Sequence, residues 1–439
     1  MSSTSVNLRV NNAEQFLESV SEPSPNTRIY LSIGRVLPWS NESSPDIANT
    51  SIASVYEIWN NMIGAKRITG NDMRHVIPKY NWVANTKYIA YDHMAENLHA
   101  ANNMFYVLTS DQHVYKCLAN NYSANSTIEP TAVNPEAVSS TSDGYIWKYM
   151  YSLSGSDLYK FTTSNYIPVR TLSTDDGSTQ WDVQDSAVDG GIHSVIVTDG
   201  GSGYTNVDNL VITIVGDGSS ATATGRINTV SNVVSNVTIT DAGSEYSNAI
   251  VRITGGGGSG ALARAIISPP GGHGSDPLYE LGGYSVLIDA RVNNSETDVL
   301  PVTNDYRQIA LIKDPIIRGT ANVSQNIAVL QAYSVTTTGS GEYIQDEYVY
   351  QGSSLSAASF SARVLESDAA NTKLILTNIT GSPTAGALIG ANSAVNRFIT
   401  STTEGYLKPY SGKILYIDNI KAITRASDQS ENFKILLKF

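Results

Sequence analysis

The chain has 439 residues and a formal net charge of −12, from 40 acidic and 28 basic side chains. Nucleic-acid binding draws most of its affinity from Lys and Arg that neutralise phosphates, so this balance disfavours a nucleic-acid partner. One cysteine, Cys117, excludes an intramolecular disulfide, and no apolar run approaches the roughly 18 residues of a membrane span. We therefore expect a protein that is made in the cytoplasm and binds neither nucleic acid nor membrane.

The composition has few charges and many tyrosines. Charged residues are 15% of the chain, below the roughly 25% of typical globular proteins, and 25 Tyr stand against 7 Phe. Interface cores are depleted of charge and enriched in Tyr, so this composition suits permanent contacts with other proteins. A chain rich in polar β-turns would have the same composition, and the two interpretations carry equal weight.

The first 90 residues predict two helices and a strand. A capping pattern at Asn12 and helical spacing predict a first helix through Ala13, Phe16, Leu17 and Val20. Residues 29–33 predict a strand that ends at Gly34. A second helix with an i, i+3, i+4, i+7 apolar stripe is predicted over residues 52–63 and is stopped by Gly64. We interpret its aromatic stripe as core packing.

From about residue 100 the pattern changes to successive strands. Residues 105–109 and 113–118 are strand-like and are separated by three residues, the length of a hairpin loop. Residues 145–151 alternate large aromatic side chains with others, which predicts a strand with at least one buried face. Further strands are predicted at residues 284–292, 307–312, 327–333, 413–417 and 432–439.

One segment occurs twice. Residues 195–204 (VIVTDGGSGY) return as residues 237–246 (VTITDAGSEY), and each copy continues into a second strand and a Gly/Ser turn. This order predicts paired β-strands, with the side chains of Asp199 and Asp241 stabilising matching turns. The repeat therefore predicts a duplicated β module at about 190–268, in which no reactive side chain is needed.

These elements predict a β-rich α+β fold with a discontinuous core. We expect residues 1–90 and 284–439 to form a core domain, and residues 91–283 to form an inserted β-rich domain that carries the duplicated module. A further small insertion at about 340–400 contains five or so short strands bounded by Gly and Ser. This pattern predicts a compact β-barrel.

Motifs for catalysis or cofactor binding are absent from the sequence. G-x-S-x-G, G-x-x-x-x-G-K-[ST] and H-E-x-x-H do not occur. His93 and His99 flank Glu96, but on a helix they would point to opposed faces, and no cysteine or third nearby His completes a zinc site. Acid pairs at residues 175–176 and 182–185 leave glycoside cleavage as an alternative hypothesis, which no sequence motif supports. We predict no catalytic, cofactor-binding or metal-binding residues.

Several segments follow the order of one known family. They are residues 29–40 (IYLSIGRVLPWS), the helix with Trp59 and residues 62–64, residues 76–79 with Trp82, and residues 127–130, 143–149, 306–312 and 428–439. In these segments the chain resembles the baseplate wedge subunit, gene product eight, of T-even-like contractile-tailed bacteriophages. The resemblance covers mainly residues 25–170, 284–320 and 410–439. It leaves out the duplicated module and the 340–400 unit.

The resemblance implies a two-domain structural protein without catalytic residues or cofactors. It implies a homodimer that joins other wedge subunits in a virion tail baseplate, is assembled in the host bacterial cytoplasm, and rearranges when the sheath contracts. The insertions would serve another wedge protein, a tail fibre or peripheral baseplate protein, or the host surface.

An apolar C-terminus is seldom left in water, and interface hot spots favour Trp and Arg. We therefore place interface contacts at Arg35, Trp39, Phe433, Leu436 and Phe439, with Trp39 equally suited to the core.

Two other function classes stay open on the residues alone. A receptor-binding or carbohydrate-binding tail protein would use the aromatic-bearing turns around Tyr204 and Tyr246. A polysaccharide-degrading tail enzyme would use the scattered acids. The binding protein is the main alternative to a structural baseplate protein. The enzyme hypothesis is supported only by the β-rich pattern and those acids.

Overall fold

The computed structural model describes residues 5–23, 27–293, 299–302, 304–368, 370, 372–426 and 428–439. It is 43% strand and 13% helix, with several sheets and a small barrel, which confirms the predicted β-rich class. The finer prediction, an insertion nested in a discontinuous core, stays a prediction. None of the helices in these residues is both long enough and apolar enough to cross a membrane.

The described residues form the following elements in chain order. The helices are α1 (Val6–Ser21), α2 (Ile52–Asn61), α3 (Gly155–Phe161), α4 (Thr179–Asp185) and α5 (Pro277–Glu280). The first strands are β1 (Ile29–Gly34), β2 (Met62–Ile68), β3 (Met73–Pro78), β4 (Tyr106–Leu108), β5 (His113–Asn120), β6 (Ser139–Ser140), β7 (Tyr145–Ser152) and β8 (Tyr166–Pro168). Those of the repeat are β9 (Ile192–Ser202), β10 (Leu210–Gly216), β11 (Thr222–Asn228), β12 (Val233–Asp241), β13 (Ala249–Gly255) and β14 (Ser259–Ile267). The last are β15 (Ser285–Val292), β16 (Asp305–Lys313), β17 (Ala328–Leu330), β18 (Tyr333–Thr338), β19 (Tyr348–Gln351), β20 (Phe360–Asp368), β21 (Lys373–Gly381), β22 (Gly386–Gly390), β23 (Asn396–Thr403), β24 (Lys413–Thr424) and β25 (Glu431–Lys438).

The chain divides into two compact units. The first unit comprises residues 1–15, 74–287 and 436–439, and the second comprises residues 16–73 and 288–435. The duplicated module lies in the first unit and the small barrel lies in the second.

The second unit is built on a five-stranded antiparallel sheet of order β17–β2–β1–β16–β24. Strand β1 is buried at all six positions, because it pairs with β2 on one side and β16 on the other. Helix α2 begins where the Ser51 hydroxyl accepts the N–H of Ser54, as an N-cap does. Its Ile58 and Trp59 pack beside Tyr30 of β1 in one buried cluster.

Helix α1 begins earlier than the sequence predicts. It starts at Val6 rather than after Asn12. The reason is a cap upstream of the apolar stripe, since the Ser5 hydroxyl accepts the N–H of Leu8 at 3.2 Å. The prediction of a helix is therefore correct, and the start that the capping pattern at Asn12 predicted is wrong.

Helix α2 ends earlier than the sequence predicts, at Asn61. Met62 already belongs to β2, where it pairs with Gly34 of β1. Gly64 therefore lies inside a strand and does not stop the helix. A Cβ at Gly64 would lie 2.4 Å from Leu300 Cδ2, so close packing explains this glycine.

The predicted small β unit is a closed barrel of order β18–β21–β20–β19–β22–β23. It has six strands rather than five or so, because β18, which the sequence did not predict, pairs with both β21 and β23 and closes it. Its interior is apolar and is filled by Val335, Tyr343, Val349, Phe360, Ala362, Val364, Leu374, Leu376, Leu388 and Ile399.

In the first unit, the predicted hairpin is confirmed. Strands β4 and β5 pair antiparallel, from Tyr106 opposite Lys116 to Leu108 opposite Val114. They belong to a four-stranded sheet of order β4–β5–β7–β6. The aromatic run 145–151 forms β7, and the side chains of Trp147 and its neighbours on one face are buried as predicted.

The duplicated module forms two sheets, of order β10–β13–β14–β9 and β11–β12. Each copy supplies three strands, and the main ladders join one copy to the other: β9 with β14, β10 with β13, and β11 with β12. A single copy therefore leaves its strands largely unpaired. The two copies of the repeat therefore fold together as one structural unit.

Candidate functional site

An exposed aromatic pair lies on the second unit. Tyr56 of α2 and Tyr410 are 49% and 52% exposed, and their rings meet edge to face with centroids 4.9 Å apart. Ile52, one helical turn before Tyr56, is 72% exposed. The predicted core role of this stripe is correct for Trp59 and wrong for Ile52 and Tyr56, because only one face of α2 meets the sheet. This apolar face, Ile52, Tyr56 and Tyr410, was missed from the sequence.

The predicted interface residues Arg35 and Trp39 lie together in the second unit. The guanidinium of Arg35 lies 3.7 Å from the centre of the Trp39 ring, and its Nη1 lies 2.5 Å from Glu57 Oε1 on α2. Trp39 is 7% exposed and donates its indole N–H to the carbonyl of Ile420. Arg35 therefore covers a buried ring and ends beside Glu57, the residue after Tyr56. A role for either residue at an interface stays a prediction.

The three predicted C-terminal residues are all engaged inside the chain. Phe433 is 9% exposed, with its ring centroid 6.2 Å from that of Tyr306 in the second unit. Leu436 packs in the first unit against a small buried cluster, Val76, Phe161 and Leu287. The carbonyl of Phe439 accepts a hydrogen bond from Arg9 Nε at 2.5 Å. These contacts explain why an apolar C-terminus is stable here, and contacts with another protein stay a prediction.

A buried ion pair lies in the first unit. Lys116 Nζ is 2.6 Å from Glu280 Oε2, and the side chains are 0% and 3% exposed. The other carboxylate oxygen, Oε1, accepts the N–H of Gly274 at 2.7 Å. Lys116 Nζ also donates to His273 Nδ1 at 3.0 Å and lies 4.1 Å from the centre of the Tyr91 ring. Burial lowers the pKa of Lys116, while the adjacent Glu280 carboxylate raises it.

Two further titratable groups adjoin this pair. Burial, and to a lesser extent the charge of nearby Lys148 and Lys116, lowers the pKa of His193 to about 4. Burial lowers the pKa of Lys148 to about 8, and its Nζ donates to the carbonyl of Pro135 at 2.6 Å. The ring of His193 lies 5.4 Å from that of His273, whose pKa burial also lowers. The cluster therefore holds both imidazoles neutral at pH 7.

We expect the first unit to lose stability as the pH falls from about 6.5 towards 4. The unfolded chain protonates His193 near pH 6.5, whereas the folded chain resists this down to about pH 4. The unfolded state thus binds more protons in this window, at a cost of up to about 3 kcal/mol for His193 alone. His193→Gln should flatten the dependence of the unfolding free energy on pH, measured by urea denaturation. His113→Gln, outside the cluster, should leave the dependence as in the wild type.

A cleft of about 760 Å³ opens beside the buried pair. Lys116 and Glu280 form part of its wall, together with Arg9, Asp92 and Tyr279. The Asp92 carboxylate is paired with Arg264, and the Tyr279 hydroxyl donates to Glu14. Asp92 and Tyr279 are thus each engaged by a side chain outside the cleft wall, and Lys116 and Glu280 by each other.

The two histidines weighed for zinc are engaged in other contacts. Residues 91–100 are turns rather than a helix, so the helical geometry assumed for His93 and His99 is wrong. His99 Nε2 lies 3.0 Å from the carbonyl oxygen of Glu280, and His93 Nδ1 accepts the N–H of Ile267. Within the ranges given above, no group of three or more His, Cys, Asp or Glu side chains could hold a metal ion.

The turns of the repeat are built from side chains that the sequence singled out. Asp199 accepts the N–H of Gly201 at 2.8 Å, and Asp241 accepts that of Gly243 at 3.0 Å, which confirms the predicted turn role. Tyr204, only 1% exposed, packs its ring against Gly258 of the other copy, where an added Cβ would lie 2.5 Å from the ring.

The second copy repeats this contact. Tyr246 is 5% exposed and packs on Gly218, where a Cβ would also lie 2.5 Å from the ring. Neither ring face is therefore available for stacking on a sugar.

Comparison with known proteins identifies the N-terminal part of the chain. Residues 2–131 match the family model Phage-Gp8, described as Bacteriophage T4, Gp8. This confirms the resemblance within these residues, and the matched span contains α2, Arg35 and Trp39. A search among curated proteins found no match.

Proposed function

We propose that the chain is a structural protein of the phage tail baseplate, a wedge subunit that homodimerises and bridges other wedge proteins. The match of residues 2–131 to the Phage-Gp8 family model supports this proposal. It acts through complementary surfaces and turns over no substrate. Bridging requires at least two separate contact surfaces on each chain.

The apolar face of α2 is the observation that carries the proposal. Ile52, Tyr56 and Tyr410 expose apolar area together, and two of them lie in the span that matches the family. Tyr is over-represented among interface hot spots, because it supplies a large rigid contact at low entropy cost. An ion pair, Arg35 with Glu57, lies at the edge of this face and would form part of a polar rim.

Light scattering coupled to size exclusion tests the homodimer. We expect a mass twice the 47.1 kDa of one chain. Tyr56→Ala should weaken the dimer at least about tenfold, as removal of an interface hot spot does. Tyr159→Ala is the matched control, because Tyr159 is 68% exposed elsewhere in the chain.

A wild-type monomer at all concentrations would overturn the homodimer. A dimer that Tyr56→Ala leaves intact would remove the α2 face from the interface. Co-purification with wedge proteins of the same phage tests the bridging role separately, and failure of that step alone would leave a dimer without the proposed partners.

A further inference from the structure

A second cleft, of about 480 Å³, lies in the first unit. Strands β9 and β12 of the duplicated module form one wall. Residues 89–92, the end of β5 and the loop after it form the other. The volume is within the range of small-molecule sites, about 300 to 1,000 Å³. The module lies outside the span that matches the family, so the cleft exists only where the module meets that span.

The loop after β5 is strained. Asn121, Tyr122 and Ser123 have left-handed backbones in succession, at φ 44°, 56° and 66°. This conformation costs free energy, because it brings each Cβ close to the following carbonyl oxygen. Asn121 Nδ2 holds the turn by donating to the carbonyl of Asp143 at 2.9 Å. Asn120 Oδ1 accepts the N–H of Ser123 at 3.1 Å. Strain of this kind collects at ligand sites, where it positions a functional side chain.

The strained turn places Tyr122 at the mouth of the cleft. Tyr122 is 54% exposed and lines the cleft. Its hydroxyl donates to Asn236 Oδ1 of β12 at 2.5 Å, so this bond crosses from the loop to the module. An aromatic ring that is half in solvent therefore adjoins the space that a ligand would fill.

The lining offers a ligand no free charge. Among the described residues that line the cleft, Asp92 is the one with a formal charge at pH 7, and Arg264 pairs with it. His193 is neutral at this pH, because burial lowers its pKa to about 4. A charged ligand would lose water in the cleft without gaining a counter-charge. The cleft therefore favours a neutral ligand.

The module wall alternates between its own core and the cleft. Val195 of β9 and Val237 of β12 point into the module core. Their neighbours in sequence, Ser194 and Thr238, lie on the opposite face and line the cleft. Ile196, two residues after Ser194, is also on this face and packs beside a small buried cluster. The wall thus combines hydroxyls with an apolar patch.

Several polar groups in the lining have hydrogen-bonding capacity left. In the described part of the chain, no group hydrogen-bonds to the His193 ring or to the Ser194 hydroxyl. The Thr238 hydroxyl accepts from Asn236 Nδ2 at 3.4 Å and can still donate. The Tyr122 hydroxyl donates to Asn236 and can still accept. A neutral imidazole and hydroxyls each donate and accept, as the hydroxyls of a sugar do.

We propose that this cleft binds a neutral saccharide. Its hydroxyls bond with His193, Ser194 and Thr238, and the apolar C–H face of a sugar ring packs on Tyr122. Unlike Tyr204 and Tyr246, which are buried in the module core, Tyr122 has a ring that a ligand can reach. The inference goes beyond the baseplate role and does not depend on it, because the cleft lies within one chain and needs neither a dimer nor a wedge partner.

Saturation-transfer difference NMR with the full chain tests the proposal. The neutral probes are N,N′,N″-triacetylchitotriose and maltotriose, and the anionic probe is trigalacturonate. We expect at least one neutral probe to bind with a Kd that is millimolar or lower. Trigalacturonate should bind at least about tenfold more weakly, because its carboxylates find no free counter-charge in the cleft.

Two substitutions act on opposite walls. Tyr122→Ala removes the ring at the mouth, and Asn236→Ala removes the amide that holds it. Each should weaken binding of the neutral probe at least about tenfold while keeping the circular dichroism spectrum of the wild type. Tyr159→Ala is the matched control, because Tyr159 is 68% exposed on α3 and does not line the cleft. It should bind as the wild type does.

Three results would overturn the proposal. One is no saturation transfer to either neutral probe at millimolar concentration. Another is a neutral probe that binds the wild type, Tyr122→Ala and Asn236→Ala equally, which would put its site elsewhere. The last is trigalacturonate binding as tightly as the neutral probes. A monomer in light scattering would count against the homodimer and leave this proposal as it is.

Discussion

Lys116→Met is expected to lower the free energy of unfolding by about 3 to 5 kcal/mol, because it leaves a buried carboxylate without its counter-charge. Lys116 Nζ lies 2.6 Å from Glu280 Oε2, and water reaches neither side chain appreciably. His273 loses its hydrogen-bond donor in the same variant. Urea denaturation monitored by Trp fluorescence measures the effect.

A second substitution separates the charge from the packing. In Lys116→Met with Glu280→Gln, the side chain at 280 is neutral, and its amide oxygen can still accept the N–H of Gly274 that Oε1 accepts now. Replacing both partners of a buried pair with uncharged groups is often close to neutral. We therefore expect the double variant to recover most of the loss. If it is as unstable as Lys116→Met alone, lost packing rather than the orphaned charge is responsible.

Tyr204→Ala is expected to cost about 3 to 5 kcal/mol, because it opens a cavity in the core of the duplicated module. The ring is 1% exposed and packs against Gly258, so neither copy can fill the space with an existing side chain. Since Tyr246 occupies the matching position on Gly218, Tyr246→Ala should cost a similar amount. Thermal unfolding followed by circular dichroism compares the two.

Two controls make this result specific. Tyr204→Phe keeps the ring and removes only a hydroxyl that accepts the Ala261 N–H at 3.4 Å, so we expect a loss below about 1.5 kcal/mol. Val230→Ala, at a side chain 93% exposed, should change stability by less than about 0.5 kcal/mol. If Tyr204→Ala matched Val230→Ala, the ring would not belong to the core. Its exposure to a sugar ligand would then have to be reconsidered.

Local sequence patterns predicted the presence of helices better than the residues at which the helices begin and end. The helical spacing through Ala13 and Val20 identified α1, but its start at Val6 depends on the Ser5 hydroxyl, and Asn12 offered an equally good cap. For the second helix, the apolar stripe continued through Met62, although that residue pairs with Gly34 in β2. Strand pairing therefore overrode helical periodicity at Met62. The local pattern could not show this, because the partner strand β1 lies far away in sequence.

The candidate interaction surfaces were less accessible to sequence reasoning. Tyr56 and Trp59 belong to one apolar stripe, and no periodicity distinguishes the member that meets the sheet from the one that meets solvent. Arg35 and Trp39 could be predicted as neighbours at one site. The position of the Arg35 guanidinium over the indole, however, depends on the left-handed backbone of Arg35, at φ 61°. Both outcomes depend on how α2 and β1 pack.

By itself, the sequence determined that this is a β-rich chain with a duplicated module, a small barrel and no catalytic motif. These properties follow from alternation, turn residues and composition, which act over a few residues. Only the tertiary structure decided that the two copies pair crosswise and that Lys116 meets Glu280. Such contacts join residues far apart in the chain, and their energies depend on burial and on partners that no local pattern specifies.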